Sequence, residues 1–335
     1  MNAKGKDMRR KFICRSLAVG ISAALLSACG GGGSGSGLSI TPPPPPPPPP
    51  PPSPGSGTPS GAAVVIFPGP TAGEYASLGV FANVGMWTDA GIPTSSDKGA
   101  VLVPRNDAGL QPKVRYTAAG TYEVQMPGEA YATLTHAKRV TNPTSDNTVF
   151  DLPRSSSFYV SGSRARGYQY SEMAGWWRPD LDFAFTADFG TVAFGTLTPA
   201  GNAPTTGTAT YQGYLAGTTD VKVALDGGKW WLVPAEGTIY LQFDFGKSTL
   251  IGNLALFLPE GMGSTKIGDF GLVQTVLSNG NLSYSGKFQT NLPGANFFNG
   301  RFTGPNAQET IGAWAMPFTH DGANHQAMGA WVAKQ

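Results

Sequence analysis

Charge is scarce in this chain. Only 13% of its 335 residues are Asp, Glu, Lys or Arg, about half the usual globular share. The 23 basic and 21 acidic residues nearly cancel. That excludes a strongly basic nucleic-acid binder, which shows a domain pI above about 9 or a basic stripe. Cysteine is nearly absent: Cys14 and Cys29 are the two. This excludes a disulfide-built scaffold and a multi-cysteine zinc or iron–sulfur site. Apolar residues at the 3.6-residue spacing of a helix are almost missing after residue 60, which excludes a helical bundle. The chain has no G-x-S-x-G elbow, no Walker loop and no H-E-x-x-H. Gly261-Met262-Gly263 runs into Ser264-Thr265-Lys266, so the third glycine of a dinucleotide fingerprint is lacking. The expectation is a protein that is not an enzyme and has neither cofactor nor metal. Of the three histidines, His320 and His325 flank Asp321 and have the chemistry of metal or haem ligands. Their Gly/Asn-rich surroundings read instead as a solvated turn between the last two strands.

Glycine, by contrast, is plentiful: 46 residues, about twice average usage. With many Thr and aromatic residues and few Glu and Lys, it argues for β structure. Of the 29 prolines, 13 fall between Pro42 and Pro59, so the part that folds is not proline-rich.

The first sixty residues carry targeting signals, which stand outside fold reasoning. Lys4, Lys6, Arg9, Arg10, Lys11 and Arg15 form a basic stretch, and Leu17 to Ala28 an apolar one. The apolar stretch is shorter than the roughly 20 residues that span a membrane. It ends in Leu26-Ser27-Ala28-Cys29-Gly30, which resembles the lipobox of bacterial lipoproteins. The resemblance implies a signal peptide over residues 1–28, cleavage before Cys29 and acylation of the Cys29 thiol and amine. More than one acyl chain gives stable anchoring where one does not. The alternative is an ordinary signal peptide with a cysteine at its cut site. Removing residues 1–28 leaves 17 basic and 20 acidic residues, a net charge of −3. Gly30, where this class carries Asp for inner-membrane retention, implies passage to the outer membrane. Residues 29–60 then form a tether. Gly30 to Gly37 is flexible. Pro42 to Pro52 is eleven consecutive prolines, a polyproline II rod roughly 34 Å long at about 3.1 Å per residue. Such a stalk holds a domain away from a membrane.

Residues 61–335 are long enough for a sizeable core. In Thr238 to Phe245, Ile239, Leu241, Phe243 and Phe245 share one face, the alternation of a half-buried strand. Leu282, Tyr284, Gly286 and Phe288 repeat it. Asn279-Gly280, Asp226-Gly227-Gly228 and Gly246-Lys247 supply turn chemistry between such runs. About nine short runs follow one another from Thr208 to Lys334, with no room for crossover helices. They predict an antiparallel meander closed into a small soluble barrel of about eight strands with an apolar interior, since closure removes exposed edges. It lacks the outward apolar band and aromatic girdles of a membrane-spanning barrel. Residues 61–198 are less regular. Val101–Val103, Lys113–Tyr116, Thr121–Met126, Ala132–Thr135, Phe158–Ser161 and Phe183–Phe189 read as strands of a smaller β domain, with the boundary near Pro199 to Thr206. The barrel domain is thus expected over residues 199–335. The fold class is all-β: a small antiparallel barrel preceded by a smaller β domain.

Two stretches carry a family resemblance. Gly195-x-Leu197-Thr198 followed by Gly207-Thr208-Ala209-Thr210-Tyr211-Gln212-Gly213 resembles the start of the barrel in transferrin-binding protein B-like lipoproteins. Phe298-Asn299-Gly300-Arg301-Phe302-Thr303-Gly304-Pro305-Asn306-Ala307-Gln308-Glu309-Thr310-Ile311-Gly312 resembles that family's hallmark, F-x-G-x-F-x-G-P-x-A-x-E-x-x-G, at every glycine, the proline, the alanine and the glutamate. Gly167-Tyr168-x-Tyr170-Ser171, then Gly175-Trp176, resembles the strand before the barrel. The resemblance implies a handle-like domain plus barrel, on a lipoprotein at the cell surface. It implies binding of a protein or solute ligand for metal or nutrient uptake, with a TonB-dependent transporter and an outer-membrane lipoprotein translocon as partners. The chain holds one handle-plus-barrel unit where the transferrin receptors carry two lobes. A structural or adhesive envelope lipoprotein is the alternative.

From the residues themselves, the hallmark reads as structural. Its glycines suit kinks and close approaches in a curved barrel, and Glu309 suits a charged hydrogen bond at a strand start. The candidate ligand contacts are aromatic. Tyr168 and Tyr170 share a face if their segment is a strand, and one ring of each pair Trp176-Trp177 and Trp230-Trp231 points outward. Aromatics of this kind anchor interfaces; packing between handle and barrel is the competing use.

Overall fold

In the computed structural model the described residues are 64–85, 102–135, 137–139, 148–180, 186–225, 229–260, 263–278 and 282–335. The leader, Cys29 and the tether lie outside them, as do Asn279-Gly280 and Asp226-Gly227-Gly228. Residues 64–335 belong to one compact unit.

The barrel is the larger part. Its strands are β11 (Thr208–Leu225), β12 (Lys229–Asp244), β13 (Thr249–Glu260), β14 (Gly263–Ser278), β15 (Ser283–Phe288), β16 (Phe297–Thr303), β17 (Glu309–His320) and β18 (Ala323–Lys334). Each pairs antiparallel with the next, and β11 returns to β18 from Gln212↔Lys334 to Thr219↔Ala327, closing the ring. Eight strands replace the nine short runs because several runs fuse: β11 spans 18 residues and β14 spans 16. Irregular register between Val273 and Val276 bends β14 without ending it. The Gly246-Lys247 turn forms as its residues dictate, with Asp244 Oδ1 accepting the Lys247 N–H at 2.9 Å.

The alternating residues point where expected. Ile239, Leu241, Phe243 and Phe245 are at most 3% exposed and join Tyr284, Phe302, Trp314 and Trp331 inside the ring. Phe243 lies 4.9 Å from Phe302 and 5.0 Å from Tyr284, ring to ring. The lumen is thus filled with side chains, as expected for an eight-stranded ring.

Ahead of the barrel stand two open sheets. One contains β1 (Gly73–Glu74), β3 (Lys113–Tyr116), β4 (Tyr122–Gln125) and β5 (Tyr131–Thr133). The other contains β2 (Ala76–Gly85), β10 (Thr186–Gly195), β9 (Ser171–Asp180), β8 (Ser157–Val160), β7 (Thr148–Asp151) and β6 (Ala137–Arg139), in that order. Here the sequence expectations need correction. Leu102 and Val103 are not in a strand, and the long pairing of β2 with β10, from Ala76↔Gly195 to Gly85↔Thr186, was not anticipated. β2 escapes a periodicity reading because it alternates in neither register: Val80, Phe81 and Ala82 are all buried.

That continuous burial has a cause. One face of the six-stranded sheet packs Phe81, Phe158, Trp176, Val192 and Phe194 against Val114, Tyr122 and Val124 of the four-stranded sheet. The other face packs Met173 and Ala193 on Ile311, Ala330 and Val332, and Val80 and Ala82 on Ala315 and Met328. The order is therefore small sheet, six-stranded sheet, barrel wall. Sheets buried on both faces read as apolar runs.

Candidate functional site

The hallmark-like run forms a joint between sheet and barrel. Phe298, Gly300 and Phe302 face the barrel interior. At Gly300 a Cβ would lie 2.1 Å from the Tyr284 ring, and at Gly312 a Cβ would lie 2.2 Å from Trp331. Only glycine lets those rings pass. Gly304 has φ +82°, and its bare Cα admits Tyr170, whose Cδ2 would sit 2.6 Å from a Cβ there. The turn then brings Glu309 up to the loop before β9. Its carboxylate accepts the N–H of Gln169 at 2.7 Å and of Tyr170 at 3.0 Å. The charged hydrogen bond expected of Glu309 is therefore made to the loop that leads into the six-stranded sheet. Burial pushes the Glu309 carboxyl above its ordinary pKa, and the two N–H donors oppose that rise.

The other family-like stretch meets the same turn. Thr198 donates its N–H to Phe302 O at 3.1 Å and its hydroxyl to Gly304 O at 2.8 Å, while Gly304 N–H donates to Thr196 O at 2.9 Å. Ser171 Oγ and Thr303 Oγ1 are 2.6 Å apart. Two segments about a hundred residues apart thus fold into one hydrogen-bonded joint.

A second buried carboxylate supports it. Glu172 is 1% exposed. It accepts from the Ser163 N–H and hydroxyl, from Ser161 Oγ at 3.1 Å and from its neighbour Met173 N–H at 2.8 Å. Burial raises its pKa against those bonds. Tyr214 of β11 hydrogen-bonds Ser163, and the Arg166 guanidinium lies over the Tyr214 ring at 3.9 Å. Burial pushes the Tyr214 hydroxyl up to about 12.

The four aromatic candidates do not share a surface. Tyr168 and Tyr170 precede the strand rather than lying in it, because a 3₁₀ turn occupies Ser163–Arg166 and β9 begins at Ser171. Tyr168 is 4% exposed, packs edge-on to Tyr214 and donates its hydroxyl to Val332 O. Trp176 is 3% exposed within the core between the two sheets. Tyr170 and Trp177 are half-buried. So the Trp176-Trp177 pair does split, with Trp176 buried between the sheets and Trp177 half-buried on the other face. The side chains of Trp230 and Trp231 lie outside the described set, as does His136.

His320 ends β17 and His325 lies within β18, so neither sits in the Asp321-Gly322 turn itself. Their rings are 6.1 Å apart, and His325 Nδ1 is 2.9 Å from Asp220 Oδ1, which also accepts the Gln326 N–H. Among the described residues no three His, Cys, Asp or Glu side chains are placed to hold a metal ion.

A shallow concavity lies elsewhere, on the outer barrel wall. A groove of about 330 Å³ is lined by residues of β14, β15 and β16 and by Leu78 of β2. Strand register builds it from two outward rows: Val276–Ser285–Asn299 and Ser278–Ser283–Arg301. Between them Tyr284 and Gly300 face inward. Asn299 Oδ1 is buried without a hydrogen-bond partner, a deficit worth about 1–3 kcal/mol. Sequence reasoning passed over Asn299 and Arg301. The signal was present in Phe297 to Thr303, where large or glycine positions alternate with polar ones.

No family model matches the chain, and no curated protein matches it. Solved structures do match. The chain is similar to transferrin binding protein B from Haemophilus parasuis Hp5, with a TM-score of 0.36 and 16% identity over 67% of this chain and 42% of that one. It is similar to isotype 1 transferrin binding protein B from serogroup B Neisseria meningitidis, with a TM-score of 0.38 and 11% identity over 77% of this chain and 43% of that one. It is also similar to a surface lipoprotein, with a TM-score of 0.35 and 14% identity over 77% of this chain and 98% of that one. The chain thus spans less than half the length of those two transferrin binding protein B chains.

Proposed function

We propose that this protein is an outer-membrane-anchored, surface-exposed lipoprotein that binds a protein or solute ligand in the service of metal or nutrient uptake, without catalysing a reaction. The observation that supports this most is the joint. Glu309 and Gly304 of the hallmark-like run lock onto Gln169, Tyr170 and Thr198, so both family-like segments converge on one structural task. A handle braced against a barrel is a rigid platform, and rigid scaffolds carry binding loops well. Cys29 is the lipidation site, and the polyproline stalk carries the platform outward. Tyr170 and Trp177, the two half-buried rings among the four aromatic candidates, are its ligand contacts, while Tyr168 and Trp176 pack inside the protein. A TonB-dependent transporter receives the cargo, and an outer-membrane translocon delivers the lipoprotein.

The test has two arms. Cells fed labelled palmitate incorporate label into the parent and not into Cys29→Ser. Protease added to intact cells removes a tag placed after Gln335 while a periplasmic control protein survives. A tag lost only after the outer membrane is permeabilised contradicts surface exposure and favours an envelope-structural role.

A further inference from the structure

The groove on the barrel wall has polar groups with nothing to bind. Among the described residues no carboxylate pairs with Arg301, although the chain has 21 acidic residues. The hydroxyls of Ser283 and Ser285 stand beside it across the β15–β16 ladder. Asn299 adds a buried oxygen without a donor. Isolated unmet groups are ordinary at a surface. Here a guanidinium without a carboxylate and hydroxyls that both donate and accept line one concavity. Its volume, about 330 Å³, lies at the lower end of the small-molecule range.

The strand geometry keeps these groups in place. Asn299 and Arg301 are two residues apart on β16, on the face away from the interior. At about 3.3 Å per residue their anchors stand roughly 6.6 Å apart. On their inner side Phe298, Gly300 and Phe302 are locked into the core. On one flank Asn299 pairs with Ala313, which is buried, and Arg301 with Ile311, which the six-stranded sheet covers. The other flank opens toward β14, where Val276 is 60% exposed. The concavity is therefore a corner, with a covered back and an open front.

We propose that this corner binds a small hydroxylated carboxylic acid. Its carboxylate pairs with Arg301 in the forked geometry that guanidinium favours. Its hydroxyls exchange hydrogen bonds with Ser283 and Ser285, which both donate and accept, with Val276 and Leu78 covering the carbon skeleton. A free sugar acid and the acidic sugar of a glycan share this chemistry. The inference deepens the ligand-binding reading by naming a solute class, and it holds independently of where the protein resides.

Calorimetric titration of the full chain in detergent with gluconate, glucuronate and glucose tests it. The expected result is binding of one or both acids with Kd on the order of 1 mM or tighter, and none of glucose. Preference for the open-chain gluconate indicates a free acid, and preference for glucuronate a glycan terminus. Arg301→Ala weakens binding by at least about tenfold, as loss of a charge-assisted pair requires. Ser285→Trp, at an exposed position, fills the corner and abolishes binding while leaving the thermal unfolding midpoint in place. The proposal is overturned if neither acid binds, if glucose binds equally, or if Ser285→Trp binds like the parent. Because the titration needs no cell, its failure is distinguishable from failure of the palmitate and protease arms.

Discussion

The two sides of the barrel are built from the same kind of strand and differ in what lies behind them. On β17 every residue from Glu309 to Phe318 is buried, and on β18 every residue from Gln326 to Ala333. On the opposite side β14 is exposed from Gly263 to Lys266, and Ile251 and Val276 are each 60% exposed. The covered wall puts large residues inward, Trp314, Met316, Phe318 and Trp331. Its outward residues Ile311, Ala315, Met328, Ala330 and Val332 are all apolar and pack on the six-stranded sheet. The open wall carries polar residues at its exposed start, Ser264, Thr265 and Lys266. The same eight-stranded ring therefore has a structural side and a side free for binding. The joint lies on the first and the groove opens toward the second.

The largest way to break this contrast is to crowd the covered wall. Gly312→Ala places a Cβ 2.2 Å from Trp331 and is expected to cost about 3 kcal/mol. The thermal midpoint then falls by on the order of 10 °C, read by scanning calorimetry.

The joint comes next. Glu309→Ala leaves the Gln169 and Tyr170 N–H groups without their acceptor and is expected to cost about 2 kcal/mol, read by denaturant melts. Its pH behaviour is distinctive. Burial holds the Glu309 and Glu172 carboxyls above their ordinary value of 4.5. An acid whose folded pKa exceeds its unfolded one contributes fully below the unfolded pKa and loses that contribution as pH rises through the folded one. Stability from these two groups is therefore expected to fall as pH rises upward from about 4.5. Glu309→Gln flattens part of that slope. A slope unchanged in Glu309→Gln contradicts the assignment.

The smallest effect belongs to the open wall. At Gly268 an added Cβ first meets Phe270 Cε2 at 3.4 Å, an ordinary contact. Gly268→Ala is expected to change stability by no more than about 0.5 kcal/mol, read by the same melts.

The contrast also explains which parts of the molecule were legible in the sequence. Strands with one wet face alternate, so Thr238 to Phe245 and Leu282 to Phe288 showed their inward residues directly. The hallmark-like run showed where the glycines belong, but the partner of Glu309 lies 140 residues away, beyond any local pattern. β2 and β9 are packed on both faces, so they lose the period that marks a strand. Trp176 looked like a surface anchor because an adjacent tryptophan pair must split, and the sequence does not say which ring goes inward. Asn299 and Arg301 were legible only as the outward positions of β16. Their meeting with Ser283 and Ser285 depends on the register of two neighbouring strands.

Through the hydrogen bonds of Glu309 and Thr198, the hallmark-like run joins sheets and barrel into one cooperative body. Scanning calorimetry of the full chain is the decisive test. The expected result is a single unfolding transition whose van't Hoff enthalpy equals the calorimetric enthalpy. Two separate transitions, with the open sheets melting apart from the barrel, would contradict it.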